Sequence, residues 1–253
     1  MQPINLFETA FPIMGQTMQN NAPEGDTTPE LAGRLPAGIH FVSGIDTDAG
    51  KTVCTGWLAR ELLRAGRLVA TMKLVQTGCR DFSPDLRLHR RLMGVTLPED
   101  EEGITAPALF SYPASPHLAA ELDGRTLDLD HILSCAKRLA ENYEVVLVEG
   151  AGGLAVPLTR DLLAIDFAAA QHWPFVFVTS GKLGSVNHTL LSMEAIAHRG
   201  GTISAVIYND VCVNPDPIIG ADTGDYLHAE QRKRFPQALW LECPRLSPEE
   251  LGQ

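Results

Sequence analysis

The sequence predicts an α/β protein, a three-layer αβα sandwich in which helices cover both faces of a mainly parallel sheet. Two patterns carry that expectation. Short, wholly apolar runs such as Val145-Val146-Leu147-Val148 and Phe175-Val176-Phe177-Val178 read as strands buried on both faces, as a parallel sheet between helix layers requires. Between them lie segments with apolar residues at helical spacing, so strand and helix alternate along the chain. A third observation fixes the type of sandwich. Gly44-Ile45-Asp46-Thr47-Asp48-Ala49-Gly50-Lys51-Thr52 fits the pattern G-x-x-x-x-G-K-[ST] and stands between a strand and a helix, where a phosphate loop has to be. The expected fold is therefore of P-loop NTPase type.

The elements follow in order. Ile39 to Ser43 is the strand before the loop, and Val53 to Ala65 the helix after it, stopped by Gly66. Leu68 to Leu74 reads as the second strand, and Asp85 to Met93 and Asp128 to Asn142 as helices. After the Val145 to Val148 strand come Asp161 to His172 as helix, Phe175 to Thr179 as strand, Asn187 to His198 as helix and Ala205 to Tyr208 as strand. Asp222 to Phe235 is one more helix, and Ala238 to Leu241 a last strand at an edge of the sheet. Residues 1–37 stand apart as a polar, flexible extension: Asn20 to Gly38 is rich in Pro, Gly, Thr and Asp and reads as a loose linker, and Ile4 to Met18 as a short docking helix. Residues 38–253 are expected to form the P-loop domain.

Composition narrows the partners. Twenty Lys and Arg against 31 Asp and Glu give a net charge of −11, which argues against nucleic acid and anionic membranes. Five cysteines without C-x-x-C spacing suggest neither a disulfide framework nor a zinc site, and fit a reducing cytoplasm. The apolar runs are too short to span a bilayer. The first 37 residues resemble neither a signal peptide nor an Arg-rich transit peptide.

In a sandwich of this kind ligands collect at the carboxyl ends of the strands, and the chemically interesting residues cluster there. In the phosphate loop, the amides from Asp48 to Val53 would face the phosphates, Lys51 would reach the terminal ones, and the Thr52 hydroxyl suits Mg²⁺. Lys73, at the end of the second strand, is a second cation aimed at the same crevice, which suggests phosphoryl transfer. Glu149 closes the Val145 strand where such proteins keep their second acidic group, and Gly150, Ala151 and Gly152 leave room for phosphates beside the backbone. Asp85, following Ser83-Pro84, reads equally as a first-turn helix acid. His117 precedes a short helix and reads as a structural histidine more readily than as a ligand. Lys182-Leu183-Gly184 opens the Asn187 helix, a second N-terminus able to receive an anion, and Asn209-Asp210 follows a strand in a position to meet a base.

Together, Gly44 to Thr52, Lys73 with Thr77-Gly78, Asp85, Ser115-Pro116-His117, Glu149-Gly150-Ala151-Gly152-Gly153, Lys182-Leu183-Gly184 with Asn187-His188, and Asn209-Asp210 closely resemble dethiobiotin synthetase, in order and spacing, from about Gly38 to Leu246. The resemblance implies an ATP- and Mg²⁺-dependent ligase that closes a cyclic urea on 7,8-diaminononanoate with CO₂. It implies Lys73 as the catalytic lysine, assisted by Lys51, with Thr77 on the substrate and Thr52, Asp85 and Glu149 around Mg²⁺. It places the base against Asn209, Asp210 and the Pro244-Arg245-Leu246 segment. It also implies a homodimer with sites at the interface, in which the partner's Asn187 helix meets the substrate carboxylate. Leu74 departs from the pattern, standing where a proline usually follows the catalytic lysine, and is expected to loosen that strand end. Two rivals stay open: an ATPase that amidates another carboxylate, and a nucleotide-driven switch of the chromosome-partition kind, though Ile45 stands where such switches carry an extra lysine.

Overall fold

The computed structural model describes residues 28–209 and 216–252. The chain enters through a short helix, α1 (Thr28–Gly33), and then the strand β1 (Gly38–Gly44). The phosphate loop leads into α2 (Lys51–Arg64), followed by β2 (Val69–Lys73), a two-residue β3 (Gln76–Thr77) and α3 (Pro84–Met93). Next come β4 (Leu109–Phe110), α4 (Pro116–Leu122), α5 (Leu129–Asn142) and β5 (Val145–Glu149). The remainder alternates as α6 (Ala164–Ala170), β6 (Phe175–Ser180), α7 (Ser185–His198), β7 (Ile203–Asn209), α8 (Pro217–Arg234), β8 (Leu239–Cys243) and α9 (Pro248–Leu251).

Six strands form one sheet in the order β2-β5-β1-β6-β7-β8, each pair parallel, with β8 at an edge as its sequence suggests. The small β3-β4 pair is also parallel. The apolar runs work as expected because consecutive side chains feed opposite faces. On one face Val42, Leu147, Val176, Val178 and Ile207 pack with Cys54, Trp57 and Leu58 of α2 and Leu92 of α3. On the other, Phe41, Met72, Val146, Val148 and Phe177 pack with Ile132 and Leu139 of α5, Phe167 of α6 and Met193 of α7. The chain leaves β1 towards β2 on one side and later returns to β6 on the other, so the topological switch opens a crevice at the carboxyl end of β1.

Two expectations need correction. Residues 28–37 are not a loose linker: Ala32 and Leu35 are buried in the α2 core, Arg67 Nη1 donates to the carbonyls of Gly33 (2.8 Å) and Leu35 (3.0 Å), and the buried His40 meets the Pro36 carbonyl at 2.8 Å. The expected docking helix over Ile4 to Met18, and the rest of the extension through residue 27, lie outside the described residues. The helix expected from Asp161 begins only at Ala164, because Leu158 and Thr159 both donate to the Leu162 carbonyl (2.9 and 3.3 Å) and Pro157 bridges Leu163; a tight turn consumes its first residues. Among the described residues no helix is long and apolar enough to cross a membrane.

Candidate active site

The phosphate loop is held in shape by its own backbone. Gly50, which caps α2, adopts a left-handed conformation (φ 86°), and a Cβ there would collide with Asn209 Nδ2, so both the dihedral and the space demand glycine. Asn209, buried at the end of β7, donates Nδ2 to the Ala49 carbonyl at 2.9 Å and ties the loop to the sheet. Lys51 Nζ turns back onto the loop, donating to the carbonyls of Asp46 (2.7 Å) and Thr47 (3.2 Å). Burial pushes its ammonium below the ordinary lysine value, and the charge of Glu149 only partly compensates.

Across the crevice, Lys73 is bound in a different way. Its ammonium donates to Glu149 Oε1 at 2.7 Å and to the Gly150 carbonyl at 3.1 Å, and lies 2.5 Å from Asp85 Oδ2. Burial alone would depress it; the charges of Glu149 and Asp85, with hydrogen bonds to both, win and hold it above the ordinary lysine value. Glu149 is fully buried. Burial would raise its carboxyl, but the Lys73 charge and the hydrogen bond from His89 hold it well below the usual carboxylate range. The Thr52 hydroxyl completes the group by donating to Glu149 Oε1 at 2.9 Å. Register places these residues: Lys73 and Glu149 are directly paired across β2 and β5, while Asp85 sits in the first turn of α3.

Behind this group lies a buried polar chain absent from the sequence-based site. His89 Nε2 contacts Glu149 Oε2 at 2.8 Å, and Nδ1 contacts Thr71 Oγ1 at 3.1 Å. Arg90 donates to Thr71 Oγ1 at 2.6 Å and grips Asp100 with two bonds of 2.7 Å each. Asp100 accepts from Thr105 Oγ1 (2.6 Å), and the Thr105 carbonyl accepts from the Lys73 amide (2.7 Å). A signal for His89 was present: Asp85 and His89 are four residues apart, on one face of a helix whose first turn reaches Lys73. Close approach of α3 to α2 rests on Gly56, where a Cβ would come within 2.8 Å of Leu92 Cδ1 and 3.2 Å of the His89 Cα.

Thr47, Asp48, Gly50, Lys51, Thr52 and Val53 line one cavity of about 440 Å³ together with Lys73, Thr77, Asp85, Glu149, Ala151 and Gly152. The AAA domain family model matches residues 40–235. An ATP-dependent dethiobiotin synthetase BioD 2 of Pasteurella multocida is 44% identical over 205 residues, which is 81% of this chain and 96% of that protein. This chain belongs to the dethiobiotin synthetase family. The protein of the same name from Haemophilus influenzae is 47% identical over 172 residues (68% of this chain, 90% of that one). The ATP-dependent dethiobiotin synthetase BioD of Chlorobaculum tepidum is 46% identical over 193 residues (76% and 80%).

At Leu74 the strand end is tied in, not loosened. Its amide donates to the Glu149 carbonyl at 2.9 Å, one ladder step beyond the Lys73–Glu149 pair, and its side chain is fully buried. A proline has no hydrogen to make that bond, so leucine fastens the strand end that its presence was expected to loosen.

Other predicted residues lie farther out. Asp210 is outside the described residues. Pro244 lines a separate cavity of about 590 Å³ with Tyr208, His228 and Trp240; Arg245 is exposed, and Leu246 is buried against the α2 core. Asn187 is exposed in the first turn of α7, outside the 440 Å³ cavity. His117 lies within α4, its Nδ1 3.1 Å from Ser115 Oγ, and lines a small cavity with Glu121 and Arg160.

Proposed function

We propose that this chain closes the ring of dethiobiotin from 7,8-diaminononanoate and CO₂, converting ATP to ADP and phosphate. The observation that carries the reading is the second buried lysine, Lys73, facing the phosphate loop from the next strand while held by Glu149 and Asp85. Simple ATP binding needs only Lys51; a second fixed cation suits a phosphoryl group in transit.

One amine of the substrate takes up CO₂ as a carbamate and loses a proton. A carbamate oxygen then attacks the γ-phosphorus, the bond to ADP breaks, and a carbamic-phosphoric anhydride forms. The second amine attacks the carbamyl carbon, releases phosphate and closes the cyclic urea. In this scheme Lys51 and the amides from Asp48 to Val53, with Gly150, Ala151 and Gly152 opposite, hold the phosphates at the N-terminus of α2. Lys73 steadies the carbamate and the transferred phosphoryl group, and Thr77 contacts the substrate. Asn209, Asp210 and Pro244 to Leu246 hold the base.

Thr52 Oγ1, Glu149 Oε1 and Asp85 Oδ2 converge on the Lys73 ammonium, within 2.5–2.9 Å of it or of one another. Two carboxylates and a hydroxyl are the hard-oxygen set that fits Mg²⁺, which takes its remaining ligands from water and phosphate. Bound there, Mg²⁺ would neutralise charge developing on the phosphate oxygens. The protein works as a homodimer in which Asn187, exposed on α7, reaches the partner's substrate carboxylate; Leu191, 57% exposed on the same helix, supports such a contact. A cytoplasmic setting agrees with the free thiols of Cys79, Cys135 and Cys243.

The test is phosphate release with Mg-ATP and bicarbonate, with and without 7,8-diaminononanoate, while the cyclic urea is followed by mass spectrometry. Release that depends on the diamine, with one ring per phosphate, is expected. Hydrolysis indifferent to the diamine would refute the assignment and favour a nucleotide switch.

A further inference from the structure

The strand end that carries Lys73 is backed by four side chains the reaction scheme leaves unused: His89, Thr71, Arg90 and Asp100. Their bonding order determines which histidine nitrogen holds the proton. Arg90 has only donors to offer, and it places one on Thr71 Oγ1 at 2.6 Å while its other arms stay locked on Asp100. Thr71 oxygen is thus an acceptor towards Arg90, and its single hydrogen must go elsewhere. Two neighbours stand within reach: His89 Nδ1 at 3.1 Å and Met93 Sδ at 3.8 Å. The thioether is the weaker acceptor, so the hydrogen goes to Nδ1. With Nδ1 accepting, the ring proton sits on Nε2, where it is donated to Glu149 Oε2 at 2.8 Å.

We propose that His89 is a positioning residue for Glu149: the Asp100–Arg90–Thr71 relay fixes its Nε2–H tautomer, and that hydrogen pins Oε2 so that Oε1 faces Thr52 and Lys73. The terminal torsion of a glutamate is soft, and without a donor on Oε2 this carboxylate would be anchored through Oε1 alone. Lys73 and Thr52 both engage Oε1, so among these contacts only His89 holds the second oxygen and with it the plane of the carboxylate. The inference rests on the reading of Glu149 as a Mg²⁺ ligand. Partners that orient a metal ligand typically matter by about 10–100-fold in affinity.

The test compares His89→Leu, which removes the donor, with His89→Gln, whose side-chain amide can replace the Nε2 hydrogen. Binding of a fluorescent ATP analogue is measured without diamine, as a function of Mg²⁺ and in its absence. His89→Leu should raise the Mg²⁺ concentration needed for tight binding about 10–100-fold, leave Mg²⁺-free binding as in the parent, and be largely rescued in His89→Gln. Unchanged Mg²⁺ dependence in His89→Leu, or glutamine no better than leucine, would overturn the proposal. A parent protein whose nucleotide binding ignores Mg²⁺ would instead remove the metal reading beneath it. Should the variants not fold, nitrogen-15 NMR of the parent's imidazoles decides the point: His89 protonated on Nε2 supports the relay, and protonation on Nδ1 overturns it.

Discussion

Two lysines line one crevice and are held in different ways, one by carbonyls and the other by carboxylates. Lys51, in the phosphate loop, is buried against neutral carbonyls of its own loop and held below the usual lysine range. Lys73, at the end of β2, is buried against two carboxylates and held above it. The difference separates two tasks. An ammonium whose hydrogen bonds go to neutral carbonyls of its own loop is suited to exchange them for a polyanion, the binding task proposed for Lys51. An ammonium bridged between strand and helix by charged partners is fixed in place, which suits the task proposed for Lys73 of meeting charge that appears only during transfer.

The largest predicted effect comes from removing each charge in turn. Lys73→Met leaves Glu149 buried with less compensation and should cost roughly 3–5 kcal/mol of stability, the usual penalty for breaking a buried pair. Lys51→Met gives up two bonds to carbonyls, each worth about 1 kcal/mol, but relieves the burial of a charge, and should leave stability within about 1 kcal/mol of the parent. Urea unfolding of both variants checks this, and equal losses would erase the contrast.

Acid unfolding sharpens it. Glu149 binds protons less readily folded than unfolded, so its contribution is present above the ordinary glutamate range, near pH 4.3, and is lost as pH falls below it. Lys73→Met removes the main cause of that shift and should move the acid midpoint, followed by fluorescence of the buried Trp57, to higher pH; Lys51→Met should move it little. A smaller effect is expected from Leu74→Pro. Losing the amide bond to the Glu149 carbonyl should cost about 1 kcal/mol, read from the same urea titrations, and a gain in stability would mean the bond contributes nothing.

Much of this was legible in the residues. Every strand of the main sheet is an apolar run, and the phosphate loop, Lys73 and Glu149 announce themselves because strand ends in a parallel sheet converge on one crevice. Other parts were hidden for physical reasons. Helix α1 is six residues long, preceded by the kind of Pro, Gly and Thr that marks a linker, and only contact with α2 and β8 makes it form. The pairing of β3 with β4 involves two residues from each, too few for periodicity to register. Arg90 sits in a run of three basic residues (His89-Arg90-Arg91) that reads as a solvated helix face; it is buried because Thr71 and Asp100 await it, and no local pattern reports partners 19 and 10 residues away. Leu74 misled because a lost proline signals looseness until the amide it restores is seen to have an acceptor.

The division of labour between the lysines is tested most directly by single-turnover phosphoryl transfer in Lys73→Ala and Lys51→Ala, with the ATP dissociation constant of each measured separately. Lys73→Ala should bind Mg-ATP nearly as the parent does and transfer its phosphoryl group about 10²–10³-fold more slowly, while Lys51→Ala should lose binding first. Equal loss of binding and transfer in both variants would contradict the account.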